Sequence, residues 1–538
     1  MGSMNLDTAL SIAVTGLRAS STGLRTVASN VANAEVAGYT RKQQNTQSSV
    51  PDASGIGVTL GPETRNVDAA LQRDVFARGA TVTGLGARES LLQSVEAVHG
   101  APEAGTSLGG LLGRLNDAFN TLAAQPSSAP AQQEAVRAAQ ALVEKLNQLA
   151  TAVTGARNRA HREIEDSAKA TNAALAEIDT LSIRIRNLHA AGQVSPDLED
   201  RRDAALERFT AETGARFMAR ADGSMLLTGP NGLTWPTEKA KGASEGPLTV
   251  AAAELAAGNY HSTLGGQVPG VMLTEPGNPL FPSDITNTLT GGRIGALIEM
   301  RDETLPRMQA ELDEFAHKLA RRFDQQGLRL FSDGFGNVPE EGGVPVQRNY
   351  IGFAGTIRVF AGIVENPSLV RDGTHPIPGG VPAGLATQPT GDPQGDIFTP
   401  NVAGGPAGFE TLAKRILDHT FGVTLKDDGT PHSPAFQNTF LGPEGDLTST
   451  IPSYARLADF AAAVVAAQTA ERADATAQRE AEGATRDLVR NRLADEAGVN
   501  IDAEMSLMVQ LQQAYQANAR VLQTSRDMYD ALFAATNR

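Results

Sequence analysis

Gly242-Ala243-Ser244-Glu245-Gly246 is a literal match to a catalytic signature, the Gly-x-Ser-x-Gly turn that lifts a nucleophilic serine above a hydrolase sheet. That turn must join a buried strand to a helix. Here Lys239 and Lys241 precede it and Pro247 follows, so neither neighbour fits and the match is one of chance. The eight histidines are scattered, without the i, i+4 or His-Glu-x-x-His spacing that a zinc site on one helix needs, and read as surface or packing residues. Lys426-Asp427-Asp428-Gly429 offers two carboxylates and a glycine, but no further ligands follow at calcium-loop spacing, so a tight turn is expected. Gly109-Gly110 lies among Leu108, Leu111 and Leu112 with no strand before it, which excludes a phosphate loop. No catalytic, cofactor-binding or metal-ligating residue is expected.

With no chemistry to position, bulk properties narrow the class. At 538 residues the chain exceeds what one hydrophobic core organises and implies roughly three or four domains. Aromatics supply 5% of residues against 41% apolar overall, so core volume must come from Ala, Leu and Val, which suit close-packed helices. A net charge of −15 without a lysine-rich block argues against sequence-independent contact with nucleic acid. The absence of cysteine removes disulfides, thiolate metal sites and cysteine nucleophiles together. No apolar run approaches the roughly 20 residues of a membrane helix, so no membrane insertion is expected. Nor is a secretory signal: Asn5 to Leu17 carries Asp7 inside its apolar stretch and lacks a basic leader. Met1, Gly2 and Ser3 read as a cloning remnant, with Met4 as the natural start.

Periodicity is more informative. Leu10, Leu17, Leu24 and Val31 recur every seven residues, with Ala13, Ser20 and Val27 three positions on. Ile501, Met508, Tyr515, Leu522 and Tyr529 repeat the period at the other end, supported by Met505, Leu511, Ala519 and Leu532. Both ends are therefore expected to be amphipathic helices, each needing the other end or another subunit to bury its stripe. The isolated chain is expected to leave both stripes without partners. Asn30, Asn33 and Ala37-Gly38 stop the first helix. A polar segment follows from Tyr39 to Ser49, and residues 56 to 60 alternate like a short strand. From Val67 to Phe209 the pattern is helical, broken at Ala101-Pro102 and Gln125 to Pro130, which implies a bundle of long helices. Ala221-Asp222-Gly223 marks a hairpin in a β-rich insertion, which is expected to be removable without unfolding the bundle. Helix returns from about Arg293 to Gln326, a Gly- and Pro-dense stretch with strand-like Thr356 to Phe360 follows, and helix resumes from Tyr454 with a break at Gly498-Val499-Asn500.

The run Val14-Thr15-Gly16-Leu17-Arg18-Ala19, then Leu24, Ala28-Ser29-Asn30-Val31-Ala32-Asn33 and Gly38-Tyr39-Thr40-Arg41, closely resembles the opening motif of bacterial flagellar axial proteins. The continuation of Gly-Tyr into Thr40 and Arg41 is similar to the hook-filament junction branch, the FlgK family of hook-associated proteins. Asp197-Leu198-Glu199-Asp200-Arg201-Arg202-Asp203 resembles an interior helical segment of that family. A second interior match is Gly291-Gly292-Arg293-Ile294-Gly295-Ala296-Leu297 with Arg301-Asp302 and Leu305-Pro306. Val499-Asn500-Ile501-Asp502 and Gln512 to Ala519 resemble its C-terminal helix. A rod or hook protein would share the opening but lack the long bundle and the Gly-Gly-Arg segment, whereas a flagellin would not be expected to carry Gly38 to Arg41. A hydrolase displayed on a filament would need a zinc motif or triad that neither insertion contains.

The resemblance implies a structural subunit, not an enzyme, forming the junction between hook and filament of the flagellum as a ring or tube; the alternative is a hook or other axial (rod or hook-filament) protein. It implies assembly through terminal helices that line a central channel, with the hook protein, a second junction protein (hook-associated protein 3) and identical copies as partners. It also implies extracellular placement after export by the flagellar type III apparatus without a cleaved signal, and a cytoplasmic export chaperone on the C-terminal helix. The expected fold is mainly α with β-rich insertions, an elongated multi-domain subunit. Its expected parts are a terminal coiled-coil domain (4–66 with 500–538), a helical bundle (67–211 with 289–330 and 451–499), a β-rich insertion (212–288) and a second β or irregular outer domain (331–450). The assembly interface is expected to use Leu10, Leu17, Leu24, Val31, Ile501, Met508, Tyr515, Leu522 and Tyr529, with Asn30, Asn33, Gly38, Tyr39 and Arg41.

Overall fold

The helices begin where short polar side chains can take up free backbone N–H groups. Asp68 accepts from Ala70 and Leu71 at 2.7 and 3.2 Å and opens α2 (Ala69–His99). Ser107 opens α3 (Leu108–Ala124) in the same way. Ser128, with Pro130 in the first turn, opens α4 (Ala129–Ala190). The computed structural model describes residues 6–36, 38–49, 57–100, 105–236, 246–262, 266–275, 278–377, 398–422 and 435–536. The sequence motifs Gly242 to Glu245 and Lys426 to Gly429, and the break at Ala101-Pro102, lie outside these residues.

With 62 residues, α4 spans on the order of 90 Å and serves as the axis of the molecule. Against it pack α5 (Pro196–Thr213), α6 (Gly292–Glu299) and α7 (Leu305–Asp324), the last buried almost all round. A π-helical turn, Met300–Thr304, joins α6 to α7 ahead of Pro306. The backbones of three segments meet at the Gly-Gly-Arg motif: Gly292 takes φ 64, and a methyl group at Gly84 would lie 2.7 Å from the Gly292 carbonyl oxygen. One core runs through the bundle, from Leu91, Phe119, Leu146 and Ile164 to Phe209, Leu297, Leu312 and Phe315, all buried.

The terminal helix α1 (Leu6–Ala32) leads into a hairpin of β1 (Lys42–Ser49) and β2 (Gly57–Arg65), paired antiparallel from Lys42↔Arg65 to Ser49↔Gly57. The polar segment from Tyr39 to Ser49 is thus largely strand; it lacks apolar alternation because most of its described side chains face water. The expected hairpin at 221 to 223 is present between β3 (Arg216–Ala219) and β4 (Met225–Thr228). Asp222 accepts from the Ser224 N–H at 2.9 Å in its turn.

A three-stranded sheet, β5 (Leu248–Val250), β6 (Val271–Glu275) and β7 (Asn278–Asp284), lies on the middle of α4. It is no removable appendage. Leu248, Val271 and Leu273 are buried in the common core, and Arg157 on α4 donates to the carbonyl oxygens of Ala256, Asn259 and Arg301 at 3.1, 2.7 and 2.8 Å. Buried donors tied in this way stabilise the insertion and the bundle jointly, so its deletion is expected to unfold part of the core.

The second outer region is mostly irregular. It holds the two-residue strands β8 (Phe331–Ser332) and β9 (Arg358–Val359) and the short helices α8 to α11 (Phe353–Thr356, Ala361–Glu365, Leu369–Asp372 and Thr411–Arg415), and docks on the N-terminal part of α4 and on α7. The chain returns along α2 as α12 (Leu457–Ala497) and ends as α13 (Ile501–Thr536), with the break at 498 to 500 where the sequence set it. Among the described residues no helix is long and apolar enough to cross a membrane.

Candidate assembly interface

The two terminal helices pair antiparallel with each other. A methyl group at Gly16 would lie 2.8 Å from the Asn518 amide, one at Gly23 would lie 3.1 Å from Leu511, and Asn30 donates to Glu504 at 3.1 Å. At the open tip Tyr529 hydrogen-bonds Asp7. The seam is built from small or polar residues: Ala13, Ser20, Gly23, Val27 and Asn30 are buried in it, facing Glu504 and Ser525. Small side chains let the backbones approach, so little apolar mass is needed to hold the pair.

The large side chains singled out from sequence lie on its flanks. Leu10, Leu17, Leu24, Val31, Met508, Leu522 and Tyr529 are half-buried, and Ile501 and Tyr515 are exposed. Met505, Val509, Val521, Met528 and Phe533 are exposed as well. The expectation that both helices stand unpartnered in the isolated chain is therefore corrected: they have each other, through different residues, and leave most of the apolar mass of α13 facing outward.

At the foot of the coil, four segments distant in sequence converge in an ionic collar. Asn30, fully buried, donates to the Lys42 carbonyl oxygen at 2.9 Å and accepts from the Lys42 N–H and the Tyr39 hydroxyl at 3.1 and 3.0 Å. Glu504, 1% exposed at its side chain, accepts from Arg41 Nε at 2.7 Å. Arg41 also donates its backbone N–H to Ala497 at 2.7 Å. Thr40 donates its hydroxyl to Asp200 at 2.6 Å. Lys42 lies over the Tyr39 ring at 4.0 Å, pairs with Asp197 and stands 3.6 Å from Asp200. Arg65 binds Glu199, Asp200 and Asp203 at 2.8, 2.9 and 2.7 Å.

Burial works against the Lys42 ammonium, but the Asp197 hydrogen bond and the charges of Tyr39, Asp197 and Asp200 outweigh it and hold its pKa above the usual lysine range. Arg65 is raised likewise, burial being overcome chiefly by Asp203. Gly38 turns the chain into the collar with φ 79, a conformation few other residues adopt. Asn33 stays outside, donating to the Ser29 carbonyl oxygen of its own helix at 2.8 Å.

Asn30, Gly38, Tyr39 and Arg41 thus meet in one place. Sequence reasoning missed Lys42, Arg65, Asp200, Asp203 and Glu504 as members of the site. The signal for the carboxylates was present: Asp197, Asp200 and Asp203 recur every third residue and so share one helical face. Among the described residues no group of three or more His, Asp or Glu is placed to hold a metal ion.

Comparison with known proteins gives the arrangement a family. The family model described as the flagellar hook-associated protein FlgK helical domain matches residues 92–330. The model for the flagellar basal body rod FlgEFG protein C-terminal region matches residues 495–534. Flagellar hook-associated protein 1 of Salmonella typhimurium strain LT2 is 23% identical over 573 residues, an alignment covering 97% of this chain and 98% of that one, and the Salmonella typhi protein matches to the same extent. Among solved structures, the flagellar hook junction protein FlgK from Burkholderia pseudomallei gives a TM-score of 0.39 at 20% identity, over 50% of this chain and 45% of that one. The interior and C-terminal motifs at 197–203, 291–306 and 499–519 fall within the two matched stretches, and the Salmonella alignment runs nearly end to end: over its length the chain is similar to the FlgK family of flagellar hook-associated proteins.

Proposed function

We propose that the chain is a structural subunit of the bacterial flagellum that forms the junction between hook and filament, assembling as a ring or tube through its terminal helices. The observation that carries this reading is the α1–α13 coil, held together by small residues while the large apolar side chains of α13 face outward. A face of that kind is satisfied by neighbouring helices.

The outward stripe of Ile501, Tyr515 and their neighbours, with the flanking Leu10, Leu17, Leu24 and Val31, is the assembly surface, and the collar of Asn30, Gly38, Tyr39 and Arg41 sets the coil on the bundle. The domain division proposed with it falls at 66, 211, 288, 330, 450 and 499. As a flagellar axial component the chain assembles with other axial proteins; the hook protein, hook-associated protein 3 and identical copies are the contacts proposed, with an export chaperone covering α13 in the cytoplasm. Export without a cleaved signal leads to an extracellular position. Catalysis has no part in this role.

The test is a cryo-EM map of hook-basal bodies from a strain carrying a tagged copy. Density for the tag at the distal end of the hook is the expected result. Density along the hook or the rod would overturn the assignment in favour of another axial protein.

A further inference from the structure

The chain passes between the terminal coil with its hairpin and the helical bundle at two places, 66–68 behind β2 and 498–500 between α12 and α13. Two single strands of backbone leave tilt and rotation free, so side chains must set the angle between the two units. Close packing does not set it on one side, where a cleft of about 750 Å³, lined by Val36, Val67, Leu493 and Ala497, lies between them. Apolar contact is in any case non-directional.

What crosses the joint is charge. From the bundle, α5 presents Asp197, Glu199, Asp200 and Asp203, and the side chains of Asp200 and Asp203 are 9% and 11% exposed. Arg202 on the same helix gives its hydrogen bond elsewhere, to the Gly223 carbonyl oxygen at 2.7 Å. The cations that meet these carboxylates come from the other unit: Lys42 and Arg65, cross-strand partners at the base of the hairpin. Lys42 brings a point charge on a flexible stem, whereas the planar guanidinium of Arg65 has fixed donor directions. Its Nε meets Glu199 at 2.8 Å, and its Nη1 meets Asp200 and Asp203 at 2.9 and 2.7 Å. Hydrogen bonds weaken steeply off their preferred geometry, so a turn of the hairpin base would weaken all three contacts together. Asp203 would then keep the neutral Gln72 amide, at 2.8 Å, and a nearly buried carboxylate stripped of its cation is strongly unfavourable.

We infer that Arg65 is a positioning residue: by forking onto three carboxylates of α5 it fixes the angle at which the bundle presents the terminal coil for assembly. Arg41 supplies the second seat, at the other crossing, on Glu504 and on the Ala497 carbonyl oxygen. The purpose of the fixed angle rests on the proposed role as a junction subunit. The angle itself belongs to the free chain and is measured there, so tag density along the rod would count against the junction and not against Arg65.

The chain contains no cysteine, so spin labels can be placed in pairs without background. In full-length Ser21→Cys/Ala173→Cys the labels occupy exposed positions of α1 and α4 and report the angle between coil and bundle. In Ser21→Cys/Gln513→Cys both lie on the coil and report its integrity. Double electron-electron resonance on the free subunit should give one narrow distance population for each pair. Adding Arg65→Ala should abolish the narrow population of the first pair alone. The second pair and the melting of the bundle should stay as in the parent, because a released coil returns the α5 carboxylates to water. A first-pair distance that stays narrow and unshifted would overturn the inference, as would a broad one in the parent. Should Arg65→Ala open the coil or melt the bundle, Arg65→Met/Asp203→Asn decides, since it removes the charge from both sides of the closest contact. Loss of the narrow population then supports the positioning role and its retention overturns it.

Discussion

Asp313 lies wholly inside the molecule on α7, accepting the backbone N–H groups of Gly352 and Ala354 at 2.7 and 2.9 Å, and so fastens the second outer region to the bundle. Burial, offset in part by these bonds, pushes its carboxyl up to about 7. One turn on, burial pushes His317, stacked on the Tyr350 ring at 3.9 Å, down to about 4. The two act in opposite senses. Asp313 holds its proton more tightly folded than unfolded, so its stabilisation is complete below about pH 4 and is lost as pH rises towards 7. His317 is neutral when folded, so its contribution is present above about pH 6.5 and is lost as pH falls towards 4. Each is worth on the order of 3 to 4 kcal/mol across its interval. Asp313→Asn is therefore expected to lower stability by about 1 to 3 kcal/mol through a backbone N–H left without an acceptor, yet to remove the downward contribution that opposes His317, so that stability climbs more steeply with pH between 4 and 7 than in the parent. Urea denaturation at pH 4.5, 5.5 and 6.5 measures both, and an unchanged pH slope would refute the assignment. Glu504 offers the counterpart in the collar. Glu504→Gln keeps its shape but removes the charge facing Arg41, and should cost about 1 to 3 kcal/mol. The loss should appear as faster hydrogen exchange in α13 with the melting of the bundle unmoved; equal exchange in the variant and the parent would show that the pair contributes nothing to holding the coil.

Among the elements, the terminal coil separates two surfaces that the heptad pattern merges. Tyr515 and Leu522 were expected to face water together in the free chain, but only Tyr515 does; Leu522 is half-buried on the flank of the seam. Tyr515→Asp should leave the melting of the free subunit within about 0.5 kcal/mol, as exposed substitutions generally do, while abolishing motility and releasing flagellin into the medium. Val27→Asp does the reverse in order: it places an unpaired charge at a position 3% exposed in the intramolecular seam, costing several kcal/mol, and should loosen α1 and α13 in the monomer. Limited trypsin digestion compares the two variants, and similar cleavage of the termini in both would mean that the two surfaces are one. The outline of these helices was legible in the sequence because Leu, Val, Met and Tyr repeat every seven residues and Gly498 to Asn500 interrupt them. The seam was not, since Gly16, Ser20, Gly23 and Asn30 do not register as hydrophobic and their importance lies in what they leave room for. β1 escaped for a related reason, as a strand that buries almost nothing shows no alternation. Arg65 and Asp200 could be recognised as partners only once the fold had brought together positions 135 residues apart.

Across the whole molecule, the C-terminal arm is attached differently from everything it touches. Leu457, Phe460 and Val464 anchor the start of α12 in the core, where Phe460 stacks on Phe436 at 3.9 Å. Beyond Ala475 no described residue of α12 is buried until Ala497. Val489 and Leu493 pack half-buried against the core, and the rest of that stretch is held to α2 and α5 by Arg479 on Glu89 at 2.6 Å, Glu482 on Arg78 at 3.0 Å and Arg490 on Glu207. Because such exposed pairs contribute about 0.2 to 1 kcal/mol each and are screened, residues 476 to 536 should exchange their amide hydrogens together in about 1 M salt while α4 and α7 stay protected. Protection of the arm at both low and high salt would show that its attachment is not ionic. The coil at the end of this arm also fixes how the subunit meets a mechanical load. Leu6 and Tyr529 belong to the same tip, where Asp7 and Tyr529 touch, so the start of α1 and the end of α13 lie side by side. Tension between them is directed across the helix pair and opens it contact by contact, from Tyr529 towards the Asn30–Glu504 bond, instead of shearing all the contacts together. In a single-molecule pulling experiment through the termini, a low-force stepwise unzipping should precede the rupture of the bundle; one high-force event would mean that the load is shared from the start.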